Sequence, residues 1–333
     1  MVPLDLELWG DGATAGDAGE LPVAAAPRQR PLDLVEWARE NRDEIESLTA
    51  SAGAVLLRGF EELSLPRLAD LVEVFSSRPV DYRYGHGPRG RIHRYIYNST
   101  DVAAERVIPL HNELSYARMW PLRVWFMCID APQSGGETPI ADSRRVLARI
   151  PPAVVEAFEA NRVMYVRNYG ETHGEDVSWK QAFETESRSD VEEFCRRFDI
   201  GFEWLEDGRL RTRQVCQATA VHPVTGEHVW FNQAHLFHSS TMERPLRLAL
   251  LARFGSEGLP RNAFFGDGSP IPASMIGEIR DAYRQSEVRF SWAPNDVFMV
   301  DNMLVAHGRT PFSGSRRVAV AMAEPIEQQV TSG

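Results

Sequence analysis

The sequence predicts a mixed α/β fold rich in β-structure, one sandwich or barrel with helices set around it, and three observations lead there. Short runs of β-branched and aromatic residues recur after residue 90, among them "RYIYN" at 94–98, "RVWFMCID" at 123–130 and "RVAVAM" at 317–322. Between them apolar residues return at helical spacing, in 151–160, 188–198, 245–253 and 273–285. With 333 residues, 43% hydrophobic and 25% charged, the chain can bury a sizeable core within one domain.

In chain order, residues 10–31 are rich in Gly, Ala, Asp and Pro, so 1–30 reads as a flexible N-terminal arm and 31–333 as a single folded domain. Leu34, Val35, Trp37, Ile45 and Leu48 recur at roughly helical spacing, which predicts one helix over 32–48. The apolar run 53–57, bounded by glycine and "RGF", predicts a strand after it. Ser64, followed by Pro66 and the set Leu68, Leu71, Val72 and Phe75, predicts a capped second helix. Beyond Pro79 the strand-like runs take over, with further members at 213–223, 228–233, 288–292 and 297–300. Val224-Thr225-Gly226-Glu227 separates two of them and reads as a hairpin turn.

Composition excludes several function classes. A net charge of -11, with no cluster of Lys and Arg, argues against nucleic acid as a partner. Three scattered cysteines, Cys128, Cys195 and Cys216, suggest neither a disulfide framework nor a thiolate metal site, which fits a reduced cytoplasm. The acidic start "MVPLDLELWGDG" lacks the form of a signal peptide, and no apolar run is long enough to span a membrane. "GHGPRG" at 85–90 matches a dinucleotide-binding pattern, but strand-like "RIHRYIYN" follows where a helix would have to open, so it reads as a loop.

The stretch "IPLHNELSY" at 108–116 carries the main chemical signal. If it is extended, His111 and Glu113 point to the same side and Asn112 to the other, because strand side chains alternate with period two. An imidazole and a carboxylate so placed are two thirds of the facial triad that holds non-haem iron(II) with open coordination positions. His307, after an apolar run and before a glycine in "DNMLVAHGRTPFSG", is the candidate for the third ligand. H-x-E triplets also arise by chance, so this pair alone establishes little. A zinc-dependent hydrolase could use the same three side chains, and a non-catalytic jelly-roll binding protein would not need them.

"GGETPIADSR" at 135–144, "HPVTGEHVWFNQAHLFH" at 222–238, "RNAFFGDGSPIP" at 261–272 and "HGRTPFSGSRRVAVAM" at 307–322 occur in one order with the H-x-E pair. Together they resemble the iron(II)/2-oxoglutarate-dependent oxygenases of the TauD/TfdA family, in its SyrP-like, clavaminate-synthase-like branch. The resemblance runs from about Gly53 to Met322 and implies a double-stranded β-helix, or jelly-roll, core. It implies His111, Glu113 and His307 as ligands of Fe(II), with 2-oxoglutarate and O2 as co-substrates. Glutamate at 113, where many relatives carry aspartate, marks the sub-family and argues against halogenation, which needs a small residue there.

The far carboxylate of 2-oxoglutarate calls for an arginine fork and a hydroxyl. Arg316 and Arg317 adjoin, and strand alternation lets one of them face the interior; the family pattern favours Arg316, on the face of Val318, and leaves Arg317 to solvent. Thr138 matches the hydroxyl position in relatives, although a threonine after two glycines is otherwise a loop cap. Asn232 and Arg309 are weaker candidates for touching substrate, and His235 and His238 read as packed residues among aromatics. By resemblance the substrate is an amino acid, or an aminoacyl group tethered to a carrier-protein thiolation domain, hydroxylated at the β-carbon; desaturation, epoxidation or cyclisation are other outcomes of the same cofactor chemistry. The pocket lid is expected within 80–110 and 165–210.

Overall fold

A computed structural model describes residues 5–7, 21–27, 32–80, 90–99, 102–170 and 177–328. The "GHGPRG" loop, apart from Gly90, lies outside the described residues, as do 81–89, 100–101 and 171–176 of the expected lid segments.

An eight-stranded sheet forms the floor of the molecule, in the order Asp5–Glu7, Val23–Ala26, Ala54–Leu57, Val297–Asp301, Met119–Asp130, Arg317–Glu327, Ile96–Asn98, Arg91–His93. Facing it is a four-stranded sheet, ordered Val288–Phe290, Thr138–Asp142, Val305–Arg309, Ile108–His111. A further sheet of Gly201–Trp204, Leu210–Cys216, Val163–Tyr169 and Arg261–Phe265 extends the structure to one side. Strands distant in sequence are neighbours in space, the arrangement of a jelly-roll core with helical insertions.

The period of two assigns the strands their faces. Along Met119–Asp130, Val124, Phe126 and Cys128 enter the core between the sheets, while Trp125 and Met127 enter a second core under the N-terminal helices. Arg317–Glu327 repeats the pattern: Val318, Val320 and Met322 point inward, whereas Ala319, Ala321 and Ala323 form a flat outer surface. On that surface lies the helix Leu65–Phe75, capped by Ser64 as expected, with Leu68, Leu71 and Val72 buried. Each large apolar side chain so buried stabilises the fold by about 1.5–3 kcal/mol.

Three expectations are corrected. The helix over 32–48 is two helices, Leu34–Glu40 and Arg42–Ala52, broken at Asn41, whose side-chain amide donates to the Trp37 carbonyl at 2.8 Å and closes the first one. The run 213–223 is likewise two strands, Leu210–Cys216 and Thr219–Val221, the second pairing with His228–Trp230 across the expected turn. The N-terminal arm is not wholly loose: Val23–Ala26 pairs in parallel with Ala54–Leu57 and buries Ala25 completely, while 1–4, 8–20 and 28–30 lie outside the described residues. Among the described residues no helix is long and apolar enough to cross a membrane.

Candidate metal centre and co-substrate pocket

The facing sheet brings the first and last parts of the site together. In its antiparallel ladder His111 stands opposite His307, with ring centroids 4.8 Å apart. Close approach requires Gly308, because a Cβ there would lie 2.5 Å from the Ile108 carbonyl oxygen. Glu113 is not in the strand, which ends at His111; the chain turns, with Leu114 at φ 55°. Convergence of the pair therefore comes from a strand end and a turn, not from alternation along one strand. Asn112 does point away, donating to the Asn302 carbonyl at 2.7 Å.

The turn is held by neutral amides. Asn302 accepts from the Glu113 N–H at 2.7 Å and donates to the carbonyls of Glu113 at 2.9 Å and Pro121 at 2.8 Å. Gln233 donates to the Asn112 carbonyl at 2.7 Å. His235 packs against Tyr283 and bonds through Nε2 to the Leu110 carbonyl at 3.0 Å; burial pushes its pKa down to about 3, so the ring is neutral and donates. Its role is to brace the strand that carries His111, as a packed residue.

Glu113 Oε1 lies 3.8 Å from His111 Nε2 and 3.5 Å from His307 Nε2. These separations exceed hydrogen-bond length, and ligand atoms about 2.1 Å from one ion and at right angles would stand about 3 Å apart. The three side chains can offer ligand atoms all within 4.8 Å of one another. His111 Nδ1 sits 2.9 Å from the Pro109 carbonyl oxygen, a contact that places the proton on Nδ1 and leaves the Nε2 lone pair facing Glu113. Phe126 meets the His307 ring edge-on at 4.9 Å and makes the wall apolar. His111 is the most exposed of the three, so the centre opens on its side. The donor set, two imidazoles and one carboxylate on one face, fits iron(II).

At the other end, Arg316, just before the strand Arg317–Glu327, is half-buried, and Arg317 reaches outward to the Asp130 carboxylate at 3.4 Å, the division that the resemblance implied. The Arg316 Nε donates to the Gly136 carbonyl at 3.3 Å. Gly136 is necessary here, since its φ is 71° and a Cβ would sit 3.2 Å from the Arg316 Cδ. Two residues on, Thr138 is buried at the start of its strand, and its hydroxyl oxygen accepts from the Trp292 indole at 2.9 Å, leaving the hydroxyl proton to donate. Burial, and then the nearby Arg309, push the Arg316 pKa down to about 10. A desolvated guanidinium with no ion pair to a described residue can receive a carboxylate.

Two weaker candidates are corrected. Asn232 is fully buried, donating to the Ala218 carbonyl at 2.7 Å and accepting from the Ala234 N–H at 3.0 Å, so it organises its own loop. Arg309 donates to the carbonyls of Val102, Ala103 and Arg106 at 2.6–2.9 Å. Those bonds tie down the segment preceding the His111 strand and occupy the fork that a substrate carboxylate would need. Asn302 and Trp292 were not singled out by sequence; the "DN" before the His307 strand was the available signal for the first.

The chain matches the family described as Taurine catabolism dioxygenase TauD, TfdA family, over residues 19–322. It belongs to that family. It is therefore an iron(II)- and 2-oxoglutarate-dependent oxygenase with O2 as co-substrate. It is 39% identical over 282 residues to the dapdiamide synthesis protein DdaC of Enterobacter agglomerans, covering 85% of each chain. It is 30% identical over 320 residues to a clavaminate synthase-like protein of Arabidopsis thaliana, covering 92% of this chain and 91% of that one. Among solved structures, PvcB of Pseudomonas aeruginosa shares the fold at a TM-score of 0.53 and 16% identity, over 92% of this chain and 85% of that one. A second structure of PvcB, described as an Fe, alpha-ketoglutarate dependent oxygenase from an isonitrile synthetic pathway, gives 0.54 at 14% identity, over 93% and 88%.

Proposed function

We propose that this TauD-family oxygenase hydroxylates an unactivated C–H bond, at the β-carbon, of an amino acid or a carrier-tethered aminoacyl group in natural-product biosynthesis. The observation that carries the site assignment is the His111–Glu113–His307 cluster, with Nε2 of His111 presented by the Pro109 carbonyl. The substrate class is supported by the likeness to a dapdiamide synthesis protein and a clavaminate synthase-like protein. Free, buried thiols at Cys128, Cys195 and Cys216 fit a cytoplasmic setting.

In this reading His111, Glu113 and His307 hold iron(II), which together with 2-oxoglutarate and O2 supplies the oxidising chemistry. Arg316 pairs with the far carboxylate of 2-oxoglutarate and Thr138 donates its hydroxyl proton to it. Trp292 fixes the Thr138 rotamer, and Phe126 keeps water from the His307 side. Asn302 holds the Glu113 backbone so that its carboxylate meets both imidazoles. The side chains fix geometry and polarity; the difficult bond chemistry is the cofactor's.

Anaerobic titration of metal-free protein with iron(II) and 2-oxoglutarate tests the site through the visible charge-transfer band. The wild type should give the band, and His111→Ala, Glu113→Ala and Arg316→Ala should lose or weaken it. Iron bound to folded wild-type protein without a band on adding 2-oxoglutarate would sink the assignment. Succinate release across amino acids and carrier-bound aminoacyl groups, with mass analysis of products, then tests substrate class and separates hydroxylation from desaturation, epoxidation or cyclisation.

A further inference from the structure

His222, the first residue of "HPVTGEHVWFNQAHLFH", forms a buried pair with Asp301 outside the ligand cluster. Their side chains are each 1% exposed, and His222 Nε2 lies 3.0 Å from Asp301 Oδ2. The direction of that bond is fixed. His222 Nδ1 accepts from the Val224 N–H at 3.2 Å and the Thr225 N–H at 3.0 Å, so the ring's proton sits on Nε2 and is donated to the carboxylate. Arg123, opposite Asp301 in the ladder, brings Nη1 to 3.7 Å from the same oxygen. Two apolar side chains would fill this space without desolvating a carboxylate, so stability is a weak reason for the pair.

Its geometry reaches the metal ligands through one turn. Asp301 ends the strand Val297–Asp301, and its other oxygen, Oδ1, accepts from the N–H groups of Met303 at 3.1 Å and Leu304 at 3.2 Å. Those two bonds close the turn before Val305–Arg309. Within the turn stands Asn302, whose side chain holds the Glu113 backbone at both its N–H and its carbonyl. Out of the turn runs the strand that carries His307. Two of the three ligands therefore depend on a turn closed by the Asp301 carboxylate, and His222 holds that carboxylate by its second oxygen.

His222 is itself anchored. Its N–H donates to the Glu227 carbonyl at 2.8 Å, and the Gly226 N–H donates back to the His222 carbonyl at 3.0 Å. The Glu227 carboxylate receives Arg144 at 3.0 Å, and Arg144 also grips Asp142 at 2.8 Å, opposite Val305 in the neighbouring strand. The same segment holds the metal-ligand turn at two further points, for Gln217 donates to the Ser115 carbonyl at 2.9 Å and Gln233 to that of Asn112 at 2.7 Å. We propose that His222 is a positioning residue for the metal centre: it orients the Asp301 carboxylate, and with it the turn from which Asn302 sets Glu113 and the His307 strand departs. The role rests on the reading of His111, Glu113 and His307 as the iron site.

Two substitutions separate the two sides of the ring. In His222→Gln the amide nitrogen takes the place of Nε2 and keeps the bond to Asp301, while the Val224 and Thr225 amides lose their acceptor. In His222→Asn the amide oxygen takes the place of Nδ1 and keeps those two bonds, but the side chain is too short to reach Asp301. The test uses full-length protein labelled with 15N-histidine, measured for the His222 Nε2–H resonance without metal, for melting temperature, for anaerobic iron(II) affinity and for the iron and 2-oxoglutarate band. Wild type should show the resonance. His222→Gln should keep wild-type iron affinity and band position even where it melts lower. His222→Asn should bind iron about three- to tenfold more weakly, at or below the lower end of the range for partners that orient a metal ligand, and its band should shift. Equal iron affinity and band position in all three proteins would overturn the role, as would an affinity that follows melting temperature and not the Asp301 bond. Loss of folding in His222→Asn would make the pair a support of the whole fold and overturn the role as well. A wild type that shows the resonance but binds no iron would overturn the iron site and the positioning role together, whereas normal binding in wild type and both variants overturns the role alone.

Discussion

The metal end of the pocket and its anion end solve opposite electrostatic problems. Around Glu113, uncharged amides hold the backbone in place: Asn302 makes three hydrogen bonds to the Glu113 and Pro121 backbones, and Gln233 and Asn112 brace the same turn. Around Arg316 the cation is desolvated, faces a second arginine, and has only the Gly136 carbonyl as a hydrogen-bond partner among the described residues. The first end has its backbone held by hydrogen bonds before any ligand arrives. The second is incomplete in charge until an anion arrives. The metal should accordingly bind to a rigid site, and the co-substrate should contribute stability as well as reactivity.

The comparison breaks most completely at the metal ligands. Glu113→Ala and His307→Ala should reduce 2-oxoglutarate turnover to background and abolish tight iron binding, because no further His, Cys, Asp or Glu among the described residues joins the cluster to supply the missing charge or lone pair. Iron affinity measured alongside a thermal melt checks this. A variant that keeps wild-type iron affinity would mean that the cluster is not the metal site. At the anion end, Arg316→Leu should raise the KM for 2-oxoglutarate about a hundredfold, near the upper range for a hydrogen bond to a charged group. Iron affinity in the absence of 2-oxoglutarate should be unchanged. Arg316→Lys should recover part of the loss, since it keeps charge but not the planar fork.

Between these in kind, and smaller in size, is the hold that Asn302 keeps on the Glu113 backbone. Asn302→Ala removes three buried hydrogen bonds and should weaken iron binding about tenfold, the lower range for partners that orient a metal ligand. The melting temperature should fall as well. Asn302→Asp keeps the size and one acceptor but loses both amide donors, so it should also weaken iron binding without opening a cavity. If iron affinity in both variants stays at the wild-type value while the protein is destabilised, the amide network stabilises the fold without positioning the ligand.

Asn302 and Trp292 also mark where sequence reasoning stops. His111, Glu113 and His307 were expected from the resemblance carried by ordered motifs; the H-x-E spacing drew attention to the pair, although Glu113 lies in a turn beyond the strand. Alternation allowed one of Arg316 and Arg317 to face inward, and the resemblance chose Arg316; the strand begins at Arg317 with a register shift before Val318, so the local rule alone does not reach Arg316. Asn302 acts on a residue 189 positions away and Trp292 on one 154 away, so their roles exist only once the sheets have closed. The strand Val23–Ala26 escaped notice for a related reason: three alanines carry little β-propensity, and pairing with Ala54–Leu57 decides their conformation. Asn232, a weaker candidate for touching substrate, instead has its amide satisfied within its own loop, which no local pattern in the sequence signals.

The smallest effect offers the sharpest separation of the two ends. Trp292 donates its indole N–H to the Thr138 hydroxyl, and its ring packs against Phe290 at 5.0 Å and Phe298 at 6.4 Å. Trp292→Phe keeps most of the aromatic packing and removes the single donor, so the Thr138 hydroxyl loses the bond that orients its proton toward the co-substrate. One neutral hydrogen bond contributes about 1 kcal/mol, which corresponds to a KM for 2-oxoglutarate roughly fivefold higher. Iron affinity should not move, because no bond of Trp292 reaches the Asn302 network. Thr138→Val, which removes the hydroxyl itself, should cost more in KM, and adding Trp292→Phe to it should then cost almost nothing further, since the bond the indole supports is already gone. Full additivity of the two substitutions would instead make Trp292 a wall of the pocket that acts independently of Thr138.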